Sequence, residues 1–144
     1  MSGSISSEAF SGRPVELSFP APKGLDGHIH IHLTVSAAST ILFLTSTSFG
    51  DSGSTIRSMG SFVCAIPDRT SPKNSLCTTI TAVPSTVDFA SRTARILSQR
   101  MKMPVYVGCS IELAGYTADE EMQCLSKVIE VVMARSVMTK SNDA

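Results

Sequence analysis

The stretch His28-Ile29-His30-Ile31-His32-Leu33-Thr34-Val35, followed after Ala37-Ala38-Ser39 by Thr40-Ile41-Leu42-Phe43-Leu44-Thr45-Ser46-Thr47, decides the fold. Its first part alternates strictly. Ile29, Ile31, Leu33 and Val35 take one side, and His28, His30, His32 and Thr34 take the other. A period of two is that of a strand with one face buried. The second part is apolar from Ile41 to Leu44 and reads as a second strand, so the two form a hairpin.

Working outward, Val15 to Phe19 alternates and predicts a short strand before the hairpin, ahead of breakers at Pro20, Pro22, Gly24 and Gly27. Phe49 to Gly60 is rich in Gly and Ser and reads as a loop. Ser61 to Ile66 predicts a strand closed by Pro67, and Leu76 to Val83, rich in β-branched residues, predicts the next. The period then changes. Val87, Ala90, Ala94, Leu97 and Met101 recur at helical spacing, with Ser85 or Thr86 as cap and Asp88 in the first turn. Arg92, Arg95, Gln99 and Lys102 form a second row on another face. Pro104 stops this helix before a strand over Val105 to Ile111. Thr117-Ala118-Asp119-Glu120 is a capping box opening a last helix to about Met138, with Met122, Leu125, Ile129, Val132 and Ser136 as its stripe. Strands first and helices late predict an α+β fold: an antiparallel sheet or sandwich-like core with two main helices on one face. Residues 15–138 read as a single domain, 1–14 as a disordered N-terminal tail and 139–144 as a C-terminal tail.

Composition narrows the function. The 144 residues are enough for one domain with its own core. Twelve Lys and Arg balance 12 Asp and Glu, so the formal net charge is zero and the basic excess of a nucleic-acid binder is absent. With 42% hydrophobic and 17% charged residues, the chain is poorly protected against association and is expected to have a protein partner. No apolar run is long enough to span a membrane as a helix, and Met1 to Ser11 lacks the pattern of a secretory signal. Cys64, Cys77, Cys109 and Cys124 form no CxxC pair and read as buried free thiols of a cytoplasmic or nuclear protein.

Three constellations imitate chemistry. His28, His30 and His32 share a strand face at about 6.6 Å intervals, so two could grip a metal while the third stands too far along. The remaining ligands of a metal motif are missing, and the row reads as a solvent or subunit-interface face. Gly50-Asp51-Ser52-Gly53-Ser54 resembles the surroundings of a serine nucleophile, but no Asp–His pair is arranged for it, and a polar loop explains it. No phosphate-binding loop is present. The Arg92, Arg95 and Lys102 row suits an acidic partner, or is the solvated face of an amphipathic helix. No catalytic residue, cofactor or metal is expected.

The run Phe62-Val63-Cys64-Ala65-Ile66-Pro67, then Ala90-x-x-x-Ala94-x-Ile96-Leu97-Ser98-x-Arg100-x-x-x-Pro104-Val105-Tyr106-Val107, resembles the fungal branch of the proteasome assembly chaperone 4 family. The hairpin fits the same pattern, and the likeness spans about Gly27 to Met138. The resemblance implies a non-enzymatic chaperone that forms a heterodimer with its sister, proteasome assembly chaperone 3. The pair would bind 20S proteasome α-subunits, chiefly the α5 subunit, on the face that later receives the β-ring, and leave as β-subunits arrive. His28, His30, His32, Arg92 and Arg95 are the candidate protein-interface residues. Leu33 and Phe43 are candidates for the apolar centre of a dimer contact, or equally for the core under the helices. The alternatives are a generic α+β scaffold or adaptor for another complex, and a metal-binding protein built on the histidine row.

Overall fold

Apolar alternation becomes a sheet whose two faces differ. The computed structural model describes residues 13–22, 27–47, 58–71 and 73–143, with side chains to residue 137. The Ser/Gly-rich start and most of the 49–60 loop therefore lie outside the described residues. The elements in chain order are β1 (Val15–Pro20), β2 (His28–Val35), β3 (Thr40–Thr47), β4 (Ser61–Pro67), β5 (Ser75–Thr81), α1 (Val87–Met101), β6 (Val105–Cys109) and α2 (Ala118–Asp143).

The six strands form one open sheet in the order β1-β2-β3-β6-β4-β5. Neighbours are antiparallel except β3 and β6, which run parallel with Leu42 opposite Val107. The sheet is thus mixed, where strand order along the sequence predicts an antiparallel one. The cause is the α1 crossover. A helix between two strands returns the chain to its starting end, so β6 points the same way as β5. It is antiparallel to the intervening β4, and its other edge meets β3 in parallel.

One face of the sheet is the core. Ile29, Ile31, Leu33, Leu42, Leu44, Val63, Ala65, Val105, Val107 and Cys109 are all buried on it. The helices cover this face. Phe89, Ala90, Ala94, Leu97 and Met101 of α1 are buried as the helical spacing requires, with Val87 half-buried at the stripe's start. On α2 the buried side is Cys124, Leu125, Val128, Ile129, Val132 and Ser136. Met122, expected in that stripe, is half exposed, and Cys124 and Val128 carry the contact instead.

The helix ends are set by two polar arrangements. The capping box forms as read: Thr117 N–H donates to Glu120 Oε1 at 2.9 Å, and Glu120 N–H donates to Thr117 Oγ1 at 3.2 Å. At α1 the expected cap does not form, because the Thr86 hydroxyl is turned to the Ser61 hydroxyl at 2.8 Å instead of to the helix. Ser61 Oγ also accepts from Val83 N–H at 2.8 Å. This buried cluster ties the start of β4 to the start of α1 and leaves neither hydroxyl without a partner. The α1 helix ends at Lys102, which takes the left-handed conformation (φ 57°) and donates its N–H to Ser98 O. Helix α2 runs past Met138 to Asp143.

Candidate functional site

Both helices lie on the same side of the sheet, so no helix covers its other side, where among the described residues the partly exposed Met59 reaches over Gly108 beside Phe43. An outward face without a covering layer is ordinarily polar. This one is not. Strand register sets out its composition: Glu16, His32, Phe43, Gly108, Phe62 and Thr81 form one cross-strand row. The next row is Thr34, Ile41, Tyr106, Cys64 and Thr78, and Ile66 faces Leu76 beside it.

The centre of the face is aromatic. Phe43 and Phe62 stack with ring centroids 6.1 Å apart, and Phe62 and Tyr106 with centroids 6.2 Å apart. Gly108 makes this possible. It lies between Phe43 and Phe62 in register, and a Cβ there would stand 2.6 Å from Phe43 Cδ1. The Phe43 ring therefore lies over the bare backbone of β6. Ile66 and Leu76 continue the apolar surface toward the β5 edge at 42% and 55% exposure, and Ile80 stands out at the β4–β5 bulge. An apolar surface of this kind on a small domain is characteristic of binding surfaces for proteins, membranes or ligands.

Toward β1 the face turns polar. His28, His30 and His32 all project on this open side, next to the aromatic cluster. His30 Nε2 lies 2.9 Å from Thr47 Oγ1, His32 Nε2 lies 3.3 Å from Glu16 Oε1, and the His28 and His30 rings stack at 6.3 Å. A shallow cavity of about 270 Å³ runs over this part, lined by Glu16, Ser18, His30, His32 and Thr45 among others. His30 and His32 are engaged by Thr47 and Glu16, and the three imidazoles do not converge on a common point. Among the described residues no group of three or more His, Cys, Asp or Glu could hold a metal ion.

The structure separates the sequence candidates into two sets. The three histidines share the open face. Arg92 and Arg95 are exposed on α1, in the helical layer, and Arg92 is held by Asp88 at 2.8 Å. Leu33 and Phe43, equivalent in the sequence, part company: Leu33 is buried in the core and Phe43 is on the open face. Phe62, Tyr106, Ile66 and Leu76 were not singled out by pattern as surface residues. The signal lies in β4, where Phe62, Cys64 and Ile66 alternate with Val63 and Ala65, so both sides of the strand are apolar and both need a cover.

Burial makes two of the thiols poor nucleophiles. Burial pushes Cys109 up to about 11 and Cys124 up to about 12, and partial burial raises Cys64. In the folded protein alkylation is expected to reach the half-buried Cys64 and Cys77 before Cys109 and Cys124. Equal labelling rates by peptide mass mapping would contradict the packing. Above about pH 9 the unfolded chain releases thiol protons that the native state retains, so stability falls as pH rises further. Urea midpoints at about pH 8 and pH 10 test that slope.

The family follows from a comparison with known proteins. Residues 28–111, from the histidine strand through the end of β6, match the family model of proteasome assembly chaperone 4. That is more than half of the chain. The chain belongs to the proteasome assembly chaperone 4 family. The matched span contains the whole aromatic cluster and the imidazole row. Among solved structures, a chain described under "Crystal Structure of a Novel Chaperone Complex for Yeast 20S Proteasome Assembly" is similar with a TM-score of 0.57 at 14% identity. The match covers 92% of this chain and 98% of that one. At that identity the likeness shows a shared fold. No curated protein sequence matches.

Proposed function

We propose that this chain is a non-enzymatic chaperone that pairs with a sister chaperone, proteasome assembly chaperone 3, through the open face of its sheet. The pair holds 20S proteasome α-subunits, chiefly the α5 subunit, while the α-ring is assembled in the cytoplasm or nucleus. It leaves when β-subunits claim the same α-ring surface. The observation that carries the reading is the aromatic face that no helix covers, in a member of this family. Its size is suitable: six strands about 4.8 Å apart and about 24 Å long present roughly 600 Å² in projection. A standard interface takes about 800 Å² of accessible surface per partner, which a pleated face of that projection supplies.

The α-subunits then fall to other surfaces, and the exposed basic row of α1 is the candidate. Arg92→Glu with Arg95→Glu is expected to weaken binding of the α5 subunit about tenfold while leaving both the fold and the sister-chaperone pair intact. Unchanged capture of the α5 subunit by a purified pair carrying both substitutions would remove these residues from that role.

Native mass spectrometry of the tagged chain, isolated from its own cells at low salt, tests the whole reading. A second chain of similar size with proteasome α-subunits and no mature β-subunits is the expected result. A monomer or homodimer without any proteasome subunit would point instead to a scaffold for a different complex.

A further inference from the structure

We infer that the partner laid on the open face carries carboxylate side chains opposite the imidazole row of β2, so that pairing tightens on mild acidification. The inference rests on the pairing proposed above and adds the chemistry of the partner's surface at that end. Register places His32 directly beside Phe43, so the imidazole row is continuous with the aromatic cluster. Any partner large enough to cover the cluster also approaches the row. The groups already facing it are few. From β1 comes Glu16, paired with His32; from β3 come Thr45 and Thr47, which do not titrate near neutrality. No helix packs on this side. Among the described residues one carboxylate thus serves three imidazoles, and none of the face's strands supplies a Lys or Arg.

Desolvation makes this imbalance matter. An imidazole that is covered loses its water, and a charged one then needs an acceptor close by. A partner offering carboxylates meets that need; one offering cations is repelled whenever the row is protonated. Carboxylates also give direction. A sister chain set in the wrong register would bury imidazoles against apolar surface, so the row fixes which end of the partner lies over β2.

A neighbouring carboxylate holds an imidazole's proton to higher pH, so each histidine so paired binds more tightly below neutrality than above it. One such pairing that moves a histidine by a single pH unit is worth about tenfold in affinity.

The test uses the pair of full-length chains, with affinity read by sedimentation or by fluorescence titration at about pH 8 and about pH 6. The wild-type pair is expected to tighten about tenfold or more at the lower pH, and less so in high salt. The triple variant His28→Gln, His30→Gln and His32→Gln keeps hydrogen-bonding capacity without titrating. It is expected to form a pair whose affinity is the same at both pH values. A wild-type pair indifferent to pH, or one that tightens equally in the variant, overturns the inference and leaves the proposed function standing. A sister chaperone that does not bind the wild-type chain at any pH overturns the proposed function itself, and this inference with it. A tight homodimer of this chain alone, loosening at the lower pH as protonated rows repel, would assign the face to a second copy and overturn the carboxylate partner.

Discussion

Gly60→Ala lowers the stability of the protein by about 2–6 kcal/mol, a large share of the roughly 5–15 kcal/mol that an ordinary domain has. Gly60 leads the chain into β4 with φ at +76°, a conformation that strains any residue with a side chain. Space makes it worse. A Cβ there would overlap the Cys109 carbonyl oxygen and stand 2.9 Å from the Ser110 Cα. Both are backbone atoms of β6 and the turn after it, and Cys109 is the register partner of Ser61. They cannot retreat without opening the β4–β6 pairing and the Ser61–Thr86 cluster. Gly115 is the internal control. Its φ is +89°, yet nothing lies within 4 Å of the position its Cβ would take. Gly115→Ala therefore bears the conformational strain alone, about 1–2 kcal/mol. Urea unfolding of the two variants measures the difference. Equal losses would mean that the contact with β6 contributes nothing.

Much of this architecture is legible in the residues. The alternation of β2 sets Ile29, Ile31 and Leu33 on one side and the histidines on the other, and the structure keeps that division, with the first side buried. The capping box at Thr117 is an interaction between near neighbours and needs no tertiary information. What pattern reading misses has a physical reason in each case. The insertion of β6 between β3 and β4 is made by backbone hydrogen bonds, which are the same for every residue, so no side chain announces it. Thr86 reads as a cap because local chemistry allows it, and Ser61, distant in sequence, outcompetes the helix for its hydroxyl. Leu33 and Phe43 look alike as apolar strand residues, and only register and helix placement send them to opposite faces. The candidate site was half legible for the same cause. Histidines stand out against an apolar background, whereas Phe62 and Tyr106 are hidden in one. Strand register brings both parts onto one surface of the fold.

On the proposed pairing, Phe62→Glu is expected to weaken binding of the sister chaperone at least about thirtyfold while the protein remains folded. Phe62 is the middle member of the Phe43–Phe62–Tyr106 stack, so its removal leaves two aromatic rings without their common neighbour. A central aromatic anchor in an interface is where truncation is most costly, commonly 2 kcal/mol or more. The glutamate adds the cost of burying a charge in an apolar contact where, among the described residues, no Lys or Arg of the face's strands can meet it. Folding is far less affected, since Phe62 points away from the helices and its strand neighbours Val63 and Ala65 are the residues in the core. Leu76→Glu separates position from charge. Leu76 is 55% exposed near the β5 edge, so its substitution places the same charge at the rim, where water still reaches it. It is expected to weaken pairing only severalfold. Affinity titrations of both variants, with melting curves to confirm folding, decide between two arrangements. Strong loss at Phe62 and weak loss at Leu76 fit a partner centred on the aromatic stack. Equal losses would move its centre toward β5, and normal pairing of a folded Phe62→Glu variant would take the open face out of the assembly altogether.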